Sequence, residues 1–187
     1  MTDNVPATGR YTSNGMPHGS TSLTPHVVVT PAGAAMEFYR DVFGARIIDV
    51  TRVPGSDLVA HAVLDFGMGM LTLSDPIESY GLVAGDPARG STFSLGVYVP
   101  NVDEVTANAE AQGATIREPA ATFVSGDRFA SILDPFGLRW SIMTRVEDIS
   151  SEESARRVAA WAATQQALAG PPPPGRRVDE RVLHQNR

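Results

Sequence analysis

At 187 residues the chain has room for one well-buried core and is too short for two full-sized domains. Its 15 basic and 21 acidic residues give a formal charge of −6, which argues against nucleic acid and anionic membrane surfaces, and the lack of cysteine removes disulfides, thiolate nucleophiles, zinc ribbons and iron–sulfur clusters. Any metal must therefore sit on histidine and carboxylates, and with neither a basic leader and apolar run nor eighteen consecutive apolar residues, a cytoplasmic protein is expected.

Residues 1–22 are rich in Gly, Ser, Thr, Asn and Pro without apolar periodicity, so they bury too little to offset the entropy of ordering and read as a mobile tail. Regular patterning starts at residues 25–30, where Val27, Val28, Val29 and Thr30 predict a buried strand. Ala34, Ala35, Phe38, Tyr39, Val42 and Phe43 then recur at helical spacing, and Gly44 stands where a left-handed cap is wanted. Strands are predicted over 46–53 and 58–66, joined by the turn Pro54-Gly55-Ser56-Asp57, and over 70–74. Residues 77–90, with their prolines and glycines, read as a loop between two halves.

After that loop the order repeats. A strand over 93–99 precedes a helix over 102–112 that Gly113 stops; strands over 115–118, 128–133 and 138–144 follow, the last two joined by Asp134-Pro135-Phe136-Gly137. Phe43-Gly44-Ala45-Arg46-Ile47 ends the first helix as Gln112-Gly113-Ala114-Thr115-Ile116 ends the second. The expected fold class is α+β: two tandem βαβββ modules, 23–76 and 91–146, in a domain spanning 23–148, with a curved mixed sheet around a cleft. An extra C-terminal helix is predicted over 150–169, with Ser150 and Glu153 as a capping box, and residues 170–187, which include the run Pro171 to Pro174, read as a Pro-rich tail.

Four segments carry a family likeness: Thr24-Pro25-His26-Val27-Val28-Val29; Met36 through Ala45; His61-Ala62-Val63-Leu64; and Gly126-Asp127-Arg128-Phe129 running on to Asp134-Pro135-Phe136-Gly137-Leu138-Arg139-Trp140-Ser141. Their order and spacing over residues 23–157 resemble the vicinal-oxygen-chelate superfamily of glyoxalases, bleomycin resistance proteins and extradiol dioxygenases, in particular its PhnB-like branch. In metal-dependent members, as the resemblance implies, one ligand sits on the first and one on the last strand of each half, leaving open positions for vicinal substrate oxygens. Carried over to this chain, those positions fall on His26, Thr72, Ser94 and Ser141. One histidine with neutral hydroxyls does not hold a catalytic divalent ion, so no metal is expected there; the alternative is a divalent metal involving His26, with Asp75 close enough to assist.

His26 shares a strand face with Val28 and Thr30 that lines the pocket in the family, and is read as a pocket polar group, with a backbone-bonded structural histidine as the competing reading. His61, on the third predicted strand, is structural or a general base; His26 and His61 are thus the catalytic candidates. His26, Thr72, Ser94, Tyr98, Phe123, Arg128, Phe129, Ser141 and Met143 form the expected ligand-binding set. In that set Tyr98, Phe123, Phe129 and Met143 supply apolar and stacking surface, and Arg128 is a partner for a carboxylate or phosphate. Core packing competes for Tyr98 and Phe129. Asp65 and Asp75 are read as solvated turn carboxylates or an acidic pocket rim, and Trp140 as core.

The resemblance and these residues together lead to a small-molecule-binding protein, metal-independent, that takes up a hydrophobic or aromatic ligand such as an antibiotic. The alternative is an enzyme of the same superfamily, an isomerase, cyclase, lyase or metal-dependent dioxygenase acting on a small metabolite. A homodimer is expected as partner, with no nucleic acid and no membrane.

Overall fold

The computed structural model describes residues 5–86 and 90–169; the Pro-rich tail lies outside the described residues. Near the start, β1 (Thr12–Ser13) and β2 (Met16–Pro17) pair as a small hairpin turned at Asn14-Gly15, both of which take positive φ. The first module follows as β3 (His26–Val28), α1 (Ala32–Phe43), β4 (Arg46–Arg52), β5 (Val59–Asp65) and β6 (Met70–Ser74). The second repeats it as β7 (Leu95–Tyr98), α2 (Val102–Ala111), β8 (Thr115–Thr122), β9 (Asp127–Leu133) and β10 (Arg139–Arg145), and α3 (Ser151–Ala169) closes the chain. The two sheets have the same topology, β3-β6-β5-β4 and β7-β10-β9-β8, each with its first and last strands paired in parallel and the rest antiparallel. The α+β class, the tandem modules and the extra helix are therefore as the sequence predicts, with the strands forming two open curved sheets that share no hydrogen-bond ladder.

Local chemistry accounts for the element ends. Gly44 caps α1 with φ 69°, and the Asn101 side chain accepts from the backbone N–H groups of Asp103 and Glu104 to start α2. Strand β8 runs past the predicted end at residue 118 and through Pro119. The register slips between Ile116 and Glu118 and again between Glu118 and Ala121, so the proline falls in a bulge on an edge strand, where a missing N–H costs little.

The modules meet through side chains. Tyr39 and Phe43 from α1 and Phe66 beyond β5 pack on Trp140 of β10, with ring centroids 5.2, 4.6 and 5.8 Å away, and Phe38 meets Phe136 at 5.9 Å. At the centre of this seam lies Asp134, only 3% exposed. Its carboxylate accepts from Tyr39 Oη at 2.8 Å, Trp140 Nε1 at 2.9 Å, and the backbone N–H groups of Phe136 and Leu138 at 2.9 and 2.8 Å. Nearby, Asn108 of α2 donates to the Asp41 carbonyl of α1 at 2.9 Å.

Helix α3 realises half of the predicted capping box. Ser150 Oγ accepts from the Glu153 N–H at 3.2 Å, while the Glu153 carboxylate turns to Arg156 and Arg157, which draw its pKa down to about 2. The helix is fastened to the second module by Ser154 Oγ donating to the Ser125 carbonyl at 2.9 Å, by Arg157 on Glu147 at 2.7 Å, and by Phe123 meeting Trp161 edge-on at 5.0 Å.

Burial raises the Asp134 pKa, and its four donors oppose the rise. The folded chain thus binds this proton more tightly than the unfolded chain, so the group's contribution to stability falls as pH rises through the carboxylate range and does not fail in acid. Removing one donor with Tyr39→Phe is expected to cost about 1 kcal/mol in urea unfolding. Asp134→Asn is expected to cost more, because its amide NH2 would face the Trp140 N–H, which cannot accept; a cost below that of Tyr39→Phe would show that the seam does not depend on this carboxylate.

Candidate functional site

Strand alternation sorts each sheet into a face against the helices and an outer face. In the first module Val27, Ala62, Leu64, Leu71 and Leu73 are buried on the helix side, which puts His26, His61, Thr72 and Ser74 together on the other. His26 lies opposite Thr72 in register, so the first and last strands of the module bring these two side chains together.

The hydrogen bonds fix the tautomer of His26. Thr72 spends its one hydroxyl proton on the Pro25 carbonyl at 3.1 Å, so it accepts from His26 Nδ1–H at 3.0 Å. That leaves Nε2 as the acceptor, and the Ser74 hydroxyl donates to it at 3.3 Å. Both ring nitrogens are therefore engaged. Burial and the neighbouring His61 lower the His26 pKa, which keeps the ring neutral. His61 stacks on it with ring centroids 6.0 Å apart and planes 3° from parallel, is exposed, and has no hydrogen-bond partner among the described residues.

In the second module Ala130, Ile132, Trp140 and Ile142 take the core side, confirming the core reading of Trp140. On the outer face Ser94 and Ser141 bond each other at 2.9 Å. One row along, the register sets Met143 between Tyr98 and Phe129. The Tyr98 hydroxyl donates to Asp127 at 3.4 Å, and Asp127 is also held by Ser125 and Arg145.

Two of the expected ligand-binding residues lie elsewhere. Arg128 faces the helices and forms a two-pronged pair with Asp103 of α2, both bonds 2.6 Å long. Phe123 packs under α3. Asp75 is neither a solvated turn carboxylate nor a pocket rim: it is 3% exposed and accepts from the Ala32 and Val59 backbone N–H groups at 3.1 and 2.8 Å, tying the start of α1 to β5. Asp65 does act as a turn carboxylate, held by Arg46 and the Gly67 N–H. Ser74 and Asp127 escape the sequence reading as outer-face groups, whereas Arg139 shares the face of Ser141 by its alternation with Trp140. The signal for Ser74 was available, since it stands two residues after Thr72 on one strand.

The donor set does not fit a divalent cation. Among the described residues no three His, Asp or Glu side chains gather, and a metal at His26 Nε2 would have to displace the Ser74 hydroxyl. Between the modules, a groove of about 740 Å³ is lined by Leu23, Phe66, Met68, Leu95, Tyr98 and Trp140. It borders the free edge of β7, and it is mostly apolar. No helix among the described residues is long and apolar enough to cross a membrane.

Residues 22–142 match the family model described as Glyoxalase/Bleomycin resistance protein/Dioxygenase superfamily. The chain belongs to that superfamily. Protein Rv0887c of Mycobacterium tuberculosis is 31% identical over 136 residues, covering 71% of this chain and 79% of that one. Among solved structures, TioX from Micromonospora sp. ML1 is 26% identical with a TM-score of 0.51, covering 70% of this chain and 100% of that one. A PhnB protein from Bacillus cereus shares the fold at 20% identity and a TM-score of 0.53, over 66% of this chain and 99% of its own. The family-model match ends within β10, before α3.

Because the folded-state pKa of His26 is lowered, the unfolded chain takes up its proton first, and the stability held at neutral pH declines as pH falls through the window below the ordinary imidazole value of about 6.5. His61→Asn is expected to raise the His26 midpoint toward that value in an NMR titration. A midpoint that stays put would mean that burial alone holds the ring neutral.

Proposed function

We propose that this superfamily member binds a small hydrophobic, partly aromatic ligand, such as an antibiotic, and sequesters it without a metal. The observation that carries this reading is the fate of the four positions that the family resemblance assigns to metal ligands. His26 and Thr72 bond each other, as do Ser94 and Ser141, and the second ring nitrogen of His26 is taken by Ser74. Hydroxyls and a neutral imidazole on the first outer face, and hydroxyls with Tyr98, Met143 and Phe129 on the second, offer shape, dipoles and stacking surface, which is what equilibrium binding requires. Sequestration needs affinity alone.

A homodimer suits this reading, because β3 and β7 each have one unpaired edge and the two outer faces are open in a single chain. A cytoplasmic protein remains the proposed location. One observation favours catalysis instead: His61 is exposed and, among the described residues, without a hydrogen-bond partner beside the neutral His26, the disposition of a general base for a metal-free isomerase, cyclase or lyase.

Calorimetry and thermal-shift measurements against a panel of aromatic antibiotics are expected to give saturable binding and a raised melting temperature. Uniform silence across the panel would sink the proposal. Stoichiometric divalent metal in protein purified without a His-tag would overturn its metal-free part.

A further inference from the structure

The outer face of the second module is polar at one end and apolar at the other. Along β10 the outward residues run Arg139, Ser141, Met143, and beside them lie Ser94, just before β7, and Gly96 and Tyr98 on it. The charged and hydroxyl groups sit at the Arg139 end; the ring and thioether groups sit one row beyond Ser141, about 6–7 Å further along the strands. Gly96 has no side chain, and the Met143 methyl folds over it, 3.4 Å from where a Cβ would stand.

Arg139 is held in place. Its Nε donates to Ser131 Oγ at 3.0 Å and its Nη2 to Glu118 Oε1 at 2.5 Å, so the guanidinium lies across β9 from β10 to β8. Ser131 is fully buried beneath it. The remaining guanidinium N–H donors have no partner among the described residues, and the side chain is 43% exposed. A planar donor group fixed by two bonds, with spare N–H groups toward an open face, is preorganised for an oxyanion.

We propose that this face selects an aromatic acid: the ligand's carboxylate or phenolate meets the free N–H donors of Arg139 with the Ser141 hydroxyl, and its ring lies over Met143, flanked by Tyr98 and Phe129. The assignment rests on the ligand-binding reading above and narrows it to a charge and a length. Glu118 neutralises Arg139 at long range, so recognition is by contact and not by steering.

The test uses the full chain with 2-naphthoic acid, its neutral amide and 2-naphthylmethylamine, with affinities read by fluorescence titration at low salt. The acid is expected to bind at least about tenfold tighter than the amide. Arg139→Gln is expected to bring that ratio to within about twofold while leaving amide affinity unchanged, an outcome that a merely structural role for Arg139 would not give. Arg139→Lys, which keeps the charge without the fork, is expected to retain part of the preference and serves if the glutamine variant fails to fold. Met143→Ala is expected to weaken acid and amide alike. Equal binding of acid and amide, tighter binding of the amine, or an unchanged ratio in Arg139→Gln overturns the assignment. Silence from all three probes while an aromatic antibiotic binds overturns the assignment alone; silence from the antibiotics as well overturns the reading beneath it.

Discussion

One buried carboxylate holds the two halves of this molecule in place. The sheets share no backbone ladder, so nothing in the secondary structure sets one module against the other. Asp134 supplies the missing constraint, because it shapes its own turn through the N–H groups of Phe136 and Leu138 and crosses the seam to Tyr39, 95 residues away. Without it, the Tyr39 hydroxyl and the Trp140 N–H would be polar groups in an aromatic cluster with no acceptor, which is the costly way to bury a donor. The positions of the two outer faces follow from that seam.

Those faces are the other side of the core. Ala130, Ile132, Trp140 and Ile142 must point inward, and the period of two then sends Ser131, Ser141 and Met143 outward in fixed rows. In the first module the same rule places His26, Thr72 and Ser74 within hydrogen-bond reach of one another. The hydroxyl chemistry is thus positioned by packing and needs no special loop.

Much of the fold was legible because it depends on local pattern. The repeat shows at Gly44 and Gly113, where each helix must stop, and both modules form where the spacing predicts them. The faces of His26, Thr72, Ser94 and Ser141 were legible for the same reason, since alternation is a local property. What escaped depends on partners distant in sequence. Arg128 reads as a ligand contact until Asp103 of α2 is seen to hold it on the helix side, and Phe123 does so until Trp161 covers it. Asp75 looks like a turn residue because the backbone N–H groups of Ala32 and Val59 that bury it come from other parts of the chain. The continuation of β8 through Pro119 required two register slips that composition does not encode.

The same wiring decides what kind of surface the molecule offers. Its formal charge is −6, yet the charges on the outer face of the second module are paired off, Arg139 with Glu118 and Arg145 with Asp127, and His26 in the first module is kept neutral by burial and by His61. A surface of paired charges, hydroxyls and rings gives up its water at less cost than one of isolated ions, so an apolar ligand body can cover it. Fixed groups such as Arg139 then have their donors already aimed, and little ordering is left to oppose binding. On the proposed ligand-binding reading, affinity on such a face would come from fit and from the few donors left unpaired, which is why the residues that discriminate between ligands are expected among the polar groups that the fold itself leaves incompletely bonded.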